Sequence, residues 1–446
     1  MKILFILDYI PYPLNSGGNQ AVFNMINSLR ELHEISLCTF LRNESEIRGA
    51  EGLRSIWPDV EIYTAKNEVK KEEHNSSQIE IPNTFACRFF ASVRDSMNRK
   101  IERRQIKVAK SNVNTPDLQN YFSENDFVKE NSILSYLGDR FTPEYYELVW
   151  NVSRKGFDVV QVEFFSSLSL VYLLPDDVIK VYVQHEIGFV RRENELSLFK
   201  KQTPEDVLDF QRIKSMELSA LSKFDYVIAL TEIDKKIMLD ENPNLNIYVS
   251  PAVVSLPSKI LKSDKSIAKK KELVFVGSGS HFPNADGVVW FLSEVMPILK
   301  RKGYDIKVNI LGVWSDSIRN IVQAAFPNAF FTGFVDDLFT FLNKRITIVP
   351  IRIGSGMRMK ILDSIVASSP IVTTSKGCEG LPFADKEDYT IADSPEEFAD
   401  SVIELIDDLD KQETYVKNIQ KKMIDFFDFE ALKEKRIEFY NLIKNV

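Results

Sequence analysis

Residues 346–382 read ITIVPIRIGSGMRMKILDSIVASSPIVTTSKGCEGLP. Ile346 to Pro350 has the length and apolarity of a buried strand, a glycine-bearing loop follows, a helical pattern starts near Met359, and Pro370 to Thr374 is a second apolar run. The order is strand, loop, helix, strand. Gly354 and Gly356 permit a close backbone approach to a ligand, and the helix opening after them aims free N–H groups and a partial positive charge at the same spot. Arg352, Arg358 and Lys360 add three cations within nine residues, and arginine clamps phosphate in two-pronged fashion. With Ser355 and Met357 between them, these residues predict a diphosphate cradle. About one turn on, Asp363 is placed to accept hydrogen bonds from sugar hydroxyls beside the phosphates. The same residues also fit a solvated basic face and an ordinary first-turn acid favoured by the helix dipole.

From Phe331 to Leu381, TGFVDDL, VPIRIGSGMRMKILDSIVASSPIVTT and GCEGL stand in register. This wording resembles the donor-binding half of glycosyltransferase family 4, retaining and metal-independent enzymes with the glycosyltransferase-B (GT-B) fold. In that family a glutamate on this helix holds the nucleotide ribose, and the resemblance puts Asp363 in its place, one methylene shorter. Many members carry a second glutamate eight residues earlier, over the sugar, where this chain has Ser355. The resemblance therefore assigns the sugar contact to backbone or to another part of the chain. Gly333, opening GFVDDL, falls in the segment that brackets the nucleotide base in the family.

Working outward, 446 residues are too many for one core of ordinary size, so two domains are expected. An apolar fraction of 44 % and a charged fraction of 27 % are those of a soluble globular protein. Net charge is −8, from 56 basic and 64 acidic residues, which argues against a broad nucleic-acid surface. Cys38, Cys87 and Cys378 are widely spaced and odd in number, predicting reduced thiols and a cytoplasmic setting. Met1 to Phe5 leads directly into a strand, with no charged leader, apolar segment and cleavage site in sequence, and no window reaches eighteen uninterrupted apolar residues. His33, His74, His185 and His281 never fall at metal-ligand spacing, so neither a metal nor a cofactor is expected.

Lys2 to Asp8, the loop ending in Gly17 and Gly18, and a helical pattern from Asn19 to Leu32 are how a doubly wound domain begins. The two glycines let the loop fold under a cleft where a substrate meets helix N–H groups, or serve as a purely structural turn; G-x-G-x-x-G is absent. Strands are expected at Glu34 to Phe40 and Val60 to Thr64. Residues 66–150 break the rhythm and predict a helical insertion. Within it Thr84 to Lys110 is basic with an aromatic end, a candidate for peripheral contact with an anionic membrane face or a lipid-linked acceptor, or else a packed helix with a solvated basic side. Ser132 to Trp150 is again helical in pattern.

Phe157 to Phe164 and Val178 to Gln184 are nearly continuous apolar runs, as buried parallel strands are. The second ends in His185, at the strand end where ligands gather in an open α/β sheet. It is either a site residue or a buried histidine satisfied by backbone. In the resembled family a histidine after this strand reaches the donor sugar. Glu163 is a weaker candidate for an acceptor pocket, and Glu217 reads as an exposed acid. Thr231 and Glu232 are expected to cap the next helix. Residues 251–271 are rich in Ser, Pro and Lys and predict the linker between domains 1–250 and 272–446, the last helix packing back on the first.

In the second domain Ser278, Ser280, His281 and Asn284 occupy a strand-to-helix loop facing the cleft. Many family members place an Arg and a Lys near this loop; neither is present, so Arg358 and Lys360 would carry the diphosphate. Asp408-Leu409-Asp410 spells a metal-binding triplet of another glycosyltransferase fold, but its polar helical setting predicts surface. The expected architecture is α/β: two Rossmann-like domains facing across a cleft. The expected chemistry is transfer of a sugar from a nucleotide-sugar donor to a glycan, lipid-linked or protein-linked acceptor. Arg358, Lys360 and the helix N-terminus would neutralise the departing diphosphate while the anomeric carbon gains oxocarbenium character. Two rivals stay open: a nucleotide-sugar epimerase or phosphorylase on the same scaffold, and a non-catalytic binding subunit of a transferase complex.

Overall fold

The computed structural model describes residues 1–14, 17–66, 132–136, 141–199, 201–253, 272–343 and 345–444. The first domain contributes strands β1 (Lys2–Leu7), β2 (Glu34–Leu41), β3 (Glu61–Lys66), β4 (Val159–Glu163), β5 (Ile179–Gln184), β6 (Tyr226–Ala229) and β7 (Ile247–Val249). The second contributes β8 (Glu272–Val276), β9 (Lys307–Leu311), β10 (Ala329–Gly333), β11 (Ile346–Val349), β12 (Ile371–Thr373) and β13 (Thr390–Ile391). The helical candidate at 84–110, the rest of the insertion up to residue 131 and most of the expected linker lie outside the described residues.

Both sheets are parallel, in the orders β3-β2-β1-β4-β5-β6-β7 and β10-β9-β8-β11-β12-β13. Parallel strands need helices on both faces, and the side chains divide accordingly. Ile3, Phe5 and Leu7 enter one buried cluster while Leu4 and Ile6 enter another. Leu273 and Phe275 part from Val274 in the same way. Strand order reverses between β1 and β4 and between β8 and β11, which opens a crevice at the carboxyl ends of those strands. The 8–14, 277–281 and 350–358 segments leave the sheets at these crevices.

Helix boundaries differ locally from the sequence pattern. The first helix starts at Gly17, ahead of Asn19. The 132–150 pattern divides into a 3₁₀ turn, Ile133–Tyr136, and a helix, Pro143–Val152, with Pro143 at its first turn. The helix after β8 starts at Phe282 and passes through a π-helical turn, Phe291–Val295, just before Pro297, which has no N–H for a regular ladder. Thr231 caps Glu232–Glu241, its hydroxyl accepting from Asp234 N at 3.0 Å. Asp408 caps Leu409–Phe426 by accepting from Lys411 N at 2.9 Å, an ordinary surface role. The helix Phe429–Ile443 sends Phe439, Tyr440 and Ile443 into the cluster under β1. Among the described residues no helix is long and apolar enough to cross a membrane.

Candidate active site in the inter-domain cleft

β11 is buried along its length, and the Met359–Val366 helix anchors on the core through Ile361, Leu362, Ile365 and Val366. Each such side chain contributes about 1.5–3 kcal/mol of burial, ample to hold the 350–358 loop between two fixed ends. Gly354 and Gly356 adopt φ of 101° and 78°, left-handed backbone that favours glycine. Their nearest neighbours belong to the facing domain. A Cβ at Gly356 would stand 2.0 Å from His185 O, and one at Gly354 would stand 2.7 Å from Glu186 Oε1. Gly17 meets Met359 similarly, at 2.5 Å. Gly354 N donates to Asn194 Oδ1 at 3.1 Å, Gly356 N to Asp234 Oδ1 at 3.3 Å, and Ile187 N to Ser355 Oγ at 2.7 Å. These glycines thus seat one domain on the other; their N–H groups already have partners on it.

Behind this contact lies a cavity of about 660 Å³. The first domain supplies Gly17, Gly18, His185 and Glu186 to its wall, and the second supplies Asn284, Ser355, Met357, Arg358, Lys360 and Asp363. Lys360 Nζ donates to Asn284 Oδ1 at 2.6 Å and lies 4.5 Å from the Phe275 ring centroid. Burial, then the Arg358 charge, pushes its pKa down to about 7, with Asp363 pulling the other way. Burial pushes Asp363 up to about 7 against the opposing pull of Lys360. The Arg358 guanidinium folds back over its own loop, donating to the carbonyls of Ser355, Gly356 and Ile353.

Besides Gly354 and Gly356, three expected residues stand outside the cavity wall. Arg352 does not line the cavity: it forms a two-pronged pair with Asp286 at 2.6 and 3.1 Å, because the strand end turns it toward the Phe282–Trp290 helix. Ser280 is exposed and shares a 2.9 Å hydrogen bond with Ser278. Gly333 lines an adjoining 340 Å³ hollow with Trp314 and Phe331; Gly312, Val313 and Phe334 belong to both spaces. Phe334 is 65 % exposed, an aromatic surface at the mouth of both.

His185 stacks on Phe164, centroids 4.1 Å apart, and its Nε2 lies 2.5 Å from Glu163 Oε2. Glu163 is fully buried and hydrogen-bonded to the histidine. Gln161 Nε2 donates to the other Glu163 oxygen, and Tyr440 OH donates to Gln161 Oε1. Glu217, expected exposed, is fully buried: it accepts from Gly188 N at 3.0 Å, Phe189 N at 2.9 Å and Gln184 Nε2 at 3.0 Å, satisfying the start of the Gly188–Ser197 helix. Glu186 escaped the sequence reading, although its place beside His185 at a strand end was a usable signal. Among the described residues no three His, Cys, Asp or Glu side chains cluster as metal ligands do.

Residues 270–408 match the family described as Glycosyl transferases group 1. Over 195 residues the chain is 28 % identical to an "Uncharacterized 44.6 kDa protein in cps region" of Klebsiella pneumoniae. The match covers 40 % of this chain and 47 % of that protein, about half the length of the curated relative. Among solved structures, sucrose-phosphate synthase from Thermosynechococcus elongatus aligns at TM-score 0.66 and 13 % identity, covering 100 % of this chain and 99 % of its own. A TarM variant of S. aureus, in complex with Fondaparinux, alpha-GlcNAc-glycerol and UDP, aligns at 0.63 and 12 %, covering 99 % of each chain. Anabaena HepE in complex with UDP and glucose aligns at 0.61 and 11 %, again covering 99 % of each chain. At these identities the structural likeness establishes the GT-B fold. The second domain carries the glycosyl transferases group 1 match.

Proposed function

We propose that this chain is a glycosyltransferase that moves a sugar from a nucleotide-sugar donor to a glycan, lipid-linked or protein-linked acceptor. The observation that carries this is the convergence of Lys360, Arg358, the start of the Met359–Val366 helix and Asp363 on one wall of a cavity between two GT-B domains. A nucleotide diphosphate fits that wall: the cations and helix N-terminus take its charge, and Asp363 accepts from ribose hydroxyls. Phe334 and the Gly333 hollow offer an apolar edge and backbone groups for the base. As the acceptor hydroxyl oxygen bonds to the anomeric carbon, the bond from that carbon to the diphosphate breaks; the electron pair leaves with the diphosphate, where Lys360 and Arg358 stabilise it, and the hydroxyl proton passes to the departing diphosphate. His185, held by Glu163 and Phe164, faces the same space from the acceptor domain. The inter-domain contacts at Gly354, Ser355 and Gly356 close the cavity and keep water from the donor. Retention and independence of a bound metal rest on the resemblance to glycosyltransferase family 4.

Calorimetry with UDP, GDP, dTDP and ADP on the native protein and on Arg358→Ala with Lys360→Ala tests the site. One nucleotide should bind in the micromolar range and lose about a hundredfold in the double variant, as two charge-assisted contacts disappear. Absence of binding, or binding indifferent to both substitutions, would refute the site. Nucleotide binding without turnover of any nucleotide-sugar would favour a binding subunit.

A further inference from the structure

Glu186 follows His185 beyond the end of β5 and lines the cavity from the first domain. Its Oε2 accepts from Arg191 Nη1 at 3.1 Å and lies 3.7 Å from His281 Nε2 on the other domain. Its Oε1 rests against Gly354, in the space that any larger residue there would fill. The side chain is 20 % exposed although Arg191 beneath it is buried, and the cavity is the space it lines. Burial alone would raise its pKa, but Arg191, the neighbouring His281 and the Arg358 charge outweigh burial and hold it well below the usual carboxylate range.

The cavity therefore carries charge of both signs. The second domain supplies Lys360, Arg358 and the helix start, while the first supplies the Glu186 carboxylate, beside His185 in sequence and close to Arg358 across Gly354. A diphosphate is drawn to the cations and repelled by Glu186. The group attached to the distal phosphate then falls toward Glu186, and it has to bring hydrogen-bond donors and no negative charge of its own. The cradle loop gives that group little: the Ser355 hydroxyl already accepts from Ile187 N, and Gly354 N already donates to Asn194.

Resting on the nucleotide-sugar reading above, we propose that Glu186 accepts hydrogen bonds from hydroxyls of the donor sugar and selects a neutral, hydroxyl-bearing sugar. The alternative is that Glu186 only ties the domains together through His281 and Arg358. Calorimetry on the native chain, Glu186→Gln and Glu186→Asp separates the two, using UDP, GDP, dTDP and ADP beside UDP-glucose, GDP-mannose, dTDP-glucose and ADP-glucose. For the nucleotide that binds the native protein, Glu186→Gln should weaken the sugar conjugate about tenfold or more and the bare nucleotide less than about twofold. Glu186→Asp keeps the charge on a shorter arm and should retain part of the conjugate's affinity; it carries the comparison if the glutamine variant does not fold. Equal losses for both ligands would reduce Glu186 to a tie between domains, and unchanged affinities would show that no sugar hydroxyl reaches it. Either result overturns the assignment. Failure of the native protein to bind any nucleotide would overturn the glycosyltransferase reading too, and is recognised before any variant is made.

Discussion

Lys360 and Asp363 stand three residues apart on one helix face, and burial moves them in opposite directions, Lys360 down to about 7 and Asp363 up to about 7. A bound diphosphate favours the Lys360 ammonium, so affinity should fall as pH rises above about 7 and binding should take up a proton. Ribose hydroxyls donate best to the Asp363 carboxylate, so affinity should also fall as pH drops below about 7. Calorimetric titration across the neutral range should therefore give a bell. Lys360→Met removes its alkaline limb and Asp363→Asn its acid limb; a variant that keeps the limb it should lose refutes the assignment of that residue. Gly356 makes a second residue-scale prediction, since its φ of 78° and its contact with His185 O both exclude a side chain. Gly356→Ala should lower kcat/KM about tenfold or more by wedging the domains apart, measured in a transfer assay at a temperature where the variant stays folded.

The Gly188–Ser197 helix shows how one element depends on another. Ile187 at its N-cap has no side-chain acceptor, and Glu217 from the Pro204–Leu221 helix takes that place with two backbone N–H bonds. Glu217→Ala should cost about 2–3 kcal/mol in denaturant unfolding, because two buried donors lose a partner. Burial raises Glu217 to about 7 despite its hydrogen bonds with Gly188, Phe189 and Gln184. A carboxyl raised above its unfolded value of about 4.3 contributes stability that is full below that value and is lost as pH rises through about 7. Glu217→Gln should flatten the stability profile across that window. A slope that survives in the variant would assign the titration to another group.

At the scale of the molecule, the helix Phe429–Ile443 follows the second domain's sheet in sequence and returns to the first. Its Tyr440 ends a buried chain that runs through Gln161 and Glu163 to His185 in the cleft. Arg436, on the same helix, donates to Ser250 Oγ at 3.0 Å and O at 3.2 Å. The return thus links the packing of the domains to His185, which lines the cavity. Tyr440→Phe removes one hydroxyl and should cost about 1 kcal/mol of stability. If the chain positions His185, kcat should also fall several-fold with nucleotide affinity unchanged. A variant that loses stability alone would make Tyr440 purely structural.

The strand runs, the glycine loop and the periodic Met359–Val366 helix are short-range patterns, so the parallel α/β architecture was legible from one stretch of chain, and so was the placing of Arg358, Lys360 and Asp363 along one cavity wall. So was His185, because a strand end announces itself locally. The partners of the acids were not. Glu163 and Glu217 look in sequence like surface or pocket carboxylates, yet both are fully buried and hydrogen-bonded. Glu186 meets Gly354 from 168 residues' distance along the chain, the same separation as the Ile187–Ser355 bond. Arg352 and Arg358 are six residues apart and equally cationic in sequence, but Asp286 takes the first out of the cleft while loop carbonyls hold the second in its wall. Sequence by itself determined which segments become strands, helices and turns, because that depends on periodicity and backbone preference over a few residues. Tertiary structure alone decided which charges share a cavity, because desolvation and ion pairing depend on neighbours that only folding brings within a few ångströms.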